Sequence, residues 1–150
     1  MIGTRYNRRA QKALSLGDYQ SLAELRYQIR RFVHFSEHAV RTAGLEPRQH
    51  QLMLALKALP KGVRPRIGEL AERLMIQHHS TVELVNRLAK AGYVRRNRGD
   101  ADRREVLLSL TRKGENVLQE LSLHHREELR TRGPALVAAL KRAMPAASIG

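Results

Sequence analysis

The 150-residue chain contains no cysteine and no tryptophan, and two Phe and four Tyr supply all its aromatic rings. Without cysteine there is no disulfide, no thiolate-ligated zinc and no thiol redox switch, which fits a reducing cytoplasm. So few aromatics leave the core to Leu, Val, Ile and Ala carried on helices. No apolar run approaches the roughly 18 residues that a membrane span needs, and the first residues lack the apolar core of a secretory signal. A soluble, cytoplasmic chain with no membrane partner is therefore expected. Acidic residues are scarce too: 14 Asp and Glu stand against 28 Lys and Arg, a formal net charge of +14. A surplus of that size draws polyanions, and Arg, which dominates it, suits phosphates and guanine edges because its planar fork offers parallel N–H groups. Nucleic acid leads the possible partners, ahead of an anionic membrane or an acidic protein.

What is present is ordinary in amount, with 42% apolar residues in a length suited to one domain. Residues 1–17 form a basic arm with Arg5, Arg8, Arg9 and Lys12 and little apolar periodicity. Ser21 with Glu24 has the capping-box form and predicts a helix starting between Asp18 and Ser21. Leu22, Leu25, Ile29, Phe32, Val33, Ala39 and Val40 then recur at helical spacing until Gly44. Pro47 opens a second helix to about Leu59, and a loop with a basic edge follows over 60–65. Ile67 to Leu74 reads as a short helix. After a turn over 75–78, a longer one runs to about Ala91, with Val82, Val85, Leu88 and Ala89 inward. Its expected outward positions are Thr81, Glu83, Asn86, Arg87 and Lys90.

The texture then changes. Tyr93 to Arg98 and Glu105 to Leu110 read as strands around the turn composition Gly99-Asp100-Ala101-Asp102. Thr111 is suited to cap a helix running to about Arg130, with Glu115 favourable to its dipole. Arg132-Gly133-Pro134 predicts a break, and Pro134 opens a last helix with Leu136, Val137, Leu140 and Met144.

Short helix, turn, longer helix and a hairpin with a charged tip is the order of a winged helix-turn-helix. The longer helix carries small polar side chains at its N-terminus, where free backbone N–H groups favour phosphate. The residues also carry a resemblance. Ile67-Gly68-Glu69-Leu70-Ala71-Glu72-Arg73-Leu74, Ser80-Thr81-Val82 and Leu84-Val85-Asn86-Arg87-Leu88 resemble the multiple-antibiotic-resistance regulator (MarR) family. So do Asp102-Arg103-Arg104 and Leu108-Ser109-Leu110-Thr111-Arg112-Lys113-Gly114, and the likeness covers nearly the whole chain. One departure is that Ser80-Thr81-Val82 stands one place later, relative to Leu88, than in the commonest family pattern. The start of the recognition helix, and with it the roles of Gln77 and His78, is left open.

The resemblance implies a mainly α fold with a small β-hairpin wing. Residues 18–45 and 112–146 would be dimerisation helices around a winged helix-turn-helix lobe over 47–111. It implies a homodimer that reads a palindromic site in double-stranded DNA. Such regulators usually repress, and a small aromatic or anionic effector often releases them. The expectation is a sequence-specific transcription regulator without cofactor or metal, and not an enzyme. The alternative is an architectural protein that coats DNA without sequence preference. The small polar residues opening the recognition helix argue for reading, since a coating protein would be expected to place Lys and Arg there.

Candidate DNA contacts are His78, His79, Ser80, Thr81, Asn86 and Arg87 on the recognition helix and Arg98, Asp102, Arg103 and Arg104 on the wing. Arg104 matches the family's wing arginine, which enters the minor groove, where narrow A·T-rich segments attract guanidinium; the plain alternative is a solvated hairpin Arg. Arg98 and Arg103 are expected on phosphates. Asp102 either favours the turn or, as the resemblance suggests, orients Arg104 or Arg87 through an ion pair. Ser80 with Glu83 also has capping-box form, so Ser80 is either a cap or a reader. His34, Glu37 and His38 spell H-x-x-E-H, a metalloprotease pattern, but no third ligand stands out. Surface histidines or a wall of an effector pocket are the better readings. His124 and His125 are expected at the surface, while His50, Tyr27, Phe32 and Phe35 either pack the core and interface or line a ligand cavity.

Overall fold

Five helices and one hairpin follow one another in the computed structural model, which describes residues 13–146. Most of the expected basic arm lies outside the described residues. Helix α1 spans Leu16–Thr42 and starts earlier than Ser21 and Glu24 predict. Ser15 is its cap: the Ser15 hydroxyl accepts from the Asp18 backbone N–H at 3.1 Å, and the Asp18 carboxylate accepts from the Ser15 N–H at 2.8 Å. The same box chemistry therefore occurs six residues upstream of the expected one, and nothing between interrupts the helix. It ends where Gly44 takes φ +84°, a conformation that costs a residue with a Cβ more.

Helix α2 spans Pro47–Lys57, α3 Ile67–Leu74 and α4 His78–Lys90. Strands β1 (Val94–Arg98) and β2 (Val106–Leu110) pair antiparallel, Val94 opposite Leu110 and Arg98 opposite Val106. Helix α5 runs unbroken from Arg112 to Ala143. The break expected at residues 132–134 does not form. Pro134 removes one N–H from the ladder, but it sits exposed, where water can satisfy the freed carbonyl. Packing along α1 holds the two turns beyond it, with Ala139 at 1% exposure.

Leu52 and Met53 of α2, Leu70 of α3, and Val85 and Leu88 of α4 meet in the core, each with no exposed surface. Burying side chains of this size contributes about 1.5–3 kcal/mol each before entropy is counted. The inward stripe of α4 differs from the expected one. Thr81, expected outward, is fully buried, and the stripe is Thr81, Leu84, Val85 and Leu88. The Thr81 hydroxyl donates to the Gln77 carbonyl at 3.1 Å, so its burial leaves no orphaned polar atom.

The wing is tied down at its base. The Leu108 N–H donates to the Pro65 carbonyl at 2.8 Å, joining the loop before α3 to β2. Thr111 caps α5, its hydroxyl accepting from the Gly114 N–H, and it also donates to the Gly92 carbonyl at 2.6 Å. A Cβ on Gly114 would lie 2.2 Å from the Tyr93 carbonyl oxygen. Gly114→Ala must therefore push the wing off α5, and a loss of about 1–3 kcal/mol or more is expected from overpacking. An unchanged thermal midpoint for that variant would contradict this packing.

Candidate nucleic-acid interface

The helix expected to be the recognition helix is α4. Gln77 is its cap residue without a side-chain bond, and the first turn holds no acid. Its first N–H groups stay available to an anion. Ser80 lies inside that turn and is not the cap. His78, His79, Glu83, Asn86 and Arg87 are exposed, Ser80 is partly covered, and Thr81 is withdrawn into the core. The candidate contacts on this helix thus reduce to a face that excludes Thr81.

The hairpin meets that face. Arg96 of β1 donates to the Asn86 side-chain oxygen, which leaves the Asn86 amide as the free donor. Arg96 was not among the sequence candidates; a strand arginine gives no signal of which helix it reaches. Arg87 pairs with Glu46 at 3.3 Å, both side chains more than 60% exposed, so the pair is weak and a phosphate can displace it. Asp102 orients neither Arg87 nor the Arg104 guanidinium by an ion pair. Its carboxylate accepts from the Arg104 backbone N–H at 2.9 Å, which is the turn-forming role. Arg98 donates to the Arg103 carbonyl at 2.9 Å and stiffens the tip, while the side chains of Arg98, Arg103 and Arg104 stay exposed.

At the foot of the wing, Glu105 gathers two arginines from the loop before α3. Arg64 donates to it twice, at 2.9 and 2.7 Å, and Arg66 donates from Nε. Desolvation raises the Glu105 pKa, but the bonds and charge of Arg64 and Arg66 outweigh it and hold the group below its ordinary value. The basic edge of the loop was legible in the sequence, whereas a partner about forty residues on was not.

The remaining candidates resolve differently. Glu37 pairs with Arg41 at 3.5 Å, and His34 and His38 are exposed. Among the described residues, no group of three or more His, Asp or Glu is placed to hold a metal. A groove along α1 is lined by Tyr27, Arg30, Arg31, His34, Phe35 and His38, and Arg132 of α5 contributes to the lining. His50 is not part of it. His50 is 1% exposed and meets His125 edge to face, ring centroids 5.1 Å apart. His125 is half-buried, contrary to its expected place at the surface. Burial, then the nearby His125, lowers the His50 pKa to about 4. Burial also lowers that of His125, helped by His124 and opposed by the Ser36 carbonyl.

Residues 43–105 match the MarR family model. Over 64 residues the chain is 36% identical to YsmB of Bacillus subtilis, an uncharacterized HTH-type transcriptional regulator. That match takes in 43% of this chain and 44% of YsmB, so it spans less than half of either. The fold is similar to that of AbsC, a MarR family transcriptional regulator from Streptomyces coelicolor, with a TM-score of 0.67, 22% identity and 81% of each chain covered. It is also similar to a variant of S. aureus MepR bound to an oligodeoxyribonucleotide, with a TM-score of 0.62 and 17% identity over 75% of this chain and 80% of that one. The mainly α architecture with a hairpin wing is the one expected.

Proposed function

We propose that this chain, a member of the MarR family through residues 43–105, is a sequence-specific DNA-binding regulator of transcription that works in the cytoplasm as a homodimer. The observation that carries the reading is the exposed polar face of α4, joined to an arginine-tipped hairpin by the bond from Arg96 to Asn86. Neutral donors and acceptors on a helix of this kind read base edges, and the surrounding arginines hold phosphates. The S. aureus protein that shares the fold is itself seen on an oligodeoxyribonucleotide.

The dimer is supported by apolar side chains that α1 and α5 leave uncovered. Leu22, Ile29, Val33, Leu129, Val137 and Leu140 are 40–51% exposed. Apolar exposure on this scale is costly for a monomer and is relieved by a partner copy. Two recognition helices related by a two-fold axis require a palindromic site with half-sites about 34–36 Å apart. Repression by occupying that site is the simplest mode of action. The α1 groove, with an aromatic ring beside arginines and histidines, suits a small aromatic acid as the releasing effector.

Selection from a random duplex pool, at near-physiological salt with competitor DNA, tests the reading. Enrichment of a palindrome with half-sites one helical turn apart is expected. Firm low-salt binding with no enriched sequence would replace this reading with that of an architectural protein.

A further inference from the structure

The geometry points to Glu105 as a positioning residue for DNA binding: it fastens Arg64 and Arg66 into one cationic edge beside the wing that engages the phosphate backbone. The inference rests on the DNA-binding reading above and adds a binding surface that neither the recognition helix nor the wing tip supplies. An acid next to a DNA-binding hairpin is repelled by phosphate, so its place there calls for a physical reason. Glu105 is not a solvated surface acid, because its side chain is only 13% exposed. The turn is shaped around it. A Cβ on Gly99 would lie 2.6 Å from a Glu105 carboxylate oxygen, and the Gly99 N–H donates to the Glu105 carbonyl at 2.9 Å.

The donor count favours a presenting role over a quenching one. A guanidinium carries five N–H groups. Arg64 uses Nε and Nη2 on the carboxylate and Arg66 uses Nε, so most of their N–H groups stay free. Their side chains remain 45% and 55% exposed. Two cations and one anion leave the cluster net positive. The carboxylate also screens the repulsion between the two arginines and fixes two long side chains that would otherwise lose rotamer entropy on meeting a phosphate. The backbone bond from Leu108 to Pro65 fastens the loop to the wing beside this cluster.

The test is the affinity of the full chain for a mixed-sequence duplex, titrated against salt, for the unaltered protein and for Glu105→Gln. Glu105→Gln removes a negative charge, so bulk electrostatics alone would tighten binding to a polyanion. The positioning role predicts the opposite sign. Binding weakens about tenfold, and the salt slope falls by about one to two, roughly one for each phosphate that is no longer neutralised. Arg64→Ala weakens binding in the unaltered background and adds little in the Glu105→Gln background, because both changes release the same phosphate. The exposed Arg64→Ala variant keeps the test alive should Glu105→Gln fail to fold, because an unchanged affinity and salt slope for Arg64→Ala alone would also overturn the proposal. Equal or tighter binding by Glu105→Gln, or full additivity with Arg64→Ala, overturns the proposal while leaving the DNA-binding reading intact. No binding by the unaltered chain overturns both.

Discussion

Replacing Arg104 with alanine is expected to weaken duplex binding by about tenfold to a hundredfold, the cost of about 1–3 kcal/mol for removing a groove-reading arginine. The structure makes this a clean substitution. Asp102 holds the Arg104 backbone N–H, so the turn does not depend on the side chain being removed. The guanidinium itself is exposed at the wing tip, and the α1 and α5 faces that would form the dimer lie elsewhere in the chain. Oligomeric state and thermal midpoint should therefore stay unchanged while affinity falls. The loss should be larger on sites with an A·T-rich flank than on G·C-rich ones, because a narrow minor groove concentrates negative potential. Fluorescence anisotropy on both kinds of duplex measures the effect. Unaltered affinity on both would sink the assignment of the wing arginine.

Acid is expected to destabilise the fold well before the carboxylates titrate. A His50 pKa lowered from 6.5 to about 4 means that the folded chain keeps the ring neutral where the unfolded chain protonates it. The unfolded state then binds more protons, and stability falls with falling pH. The contribution is fully present above about pH 6.5 and is lost progressively down to about pH 4. Each unit of lowering is worth about 1.4 kcal/mol, so the total from His50 is on the order of 3–4 kcal/mol. His125 shifts in the same direction and adds to it. Glu105 and Glu127 have lowered pKa values too, so their contributions are lost only below their ordinary range, nearer pH 4. The window from pH 6.5 to 5 therefore isolates the imidazoles. Denaturant midpoints across that window should fall for the unaltered chain and stay nearly flat for a His50→Gln, His125→Gln double variant. Parallel curves for the two proteins would show that the pair is not the origin. Because His50 belongs to α2 and His125 to α5, this acid-sensitive contact also joins the winged helix-turn-helix lobe to the long C-terminal helix.

Some of these features could be read in advance and others not, for identifiable reasons. The limits of α3 and the start of α2 were legible because Ile67, Leu70, Ala71 and Leu74 keep strict helical spacing and Pro47 marks a first turn. The hairpin was legible from its turn composition and from alternation in β2. Thr81 was misplaced because a threonine beside Val82 looks polar, while its hydroxyl can be satisfied within its own helix and then buried. The break at Pro134 was misread because local propensity takes no account of the packing of α1 along α5. The cap of α1 was misplaced because Ser15 with Asp18 and Ser21 with Glu24 present the same pattern, and only one of them begins a helix.

The sequence by itself determined the class of protein. A +14 charge carried mostly by arginine favours a polyanion as partner, and an aliphatic helical pattern with one hairpin after a short–long helix pair already specifies a winged helix-turn-helix. These are properties of composition and of spacing within a few residues, which local sterics and hydrophobic periodicity impose on any chain. Only the tertiary structure decided which side chains meet across long separations. It placed Glu105 between Arg64 and Arg66, Arg96 on Asn86, Glu46 on Arg87 and His50 against His125. Such pairs depend on how packed elements orient charged and polar groups in space, and no spacing along the chain encodes that.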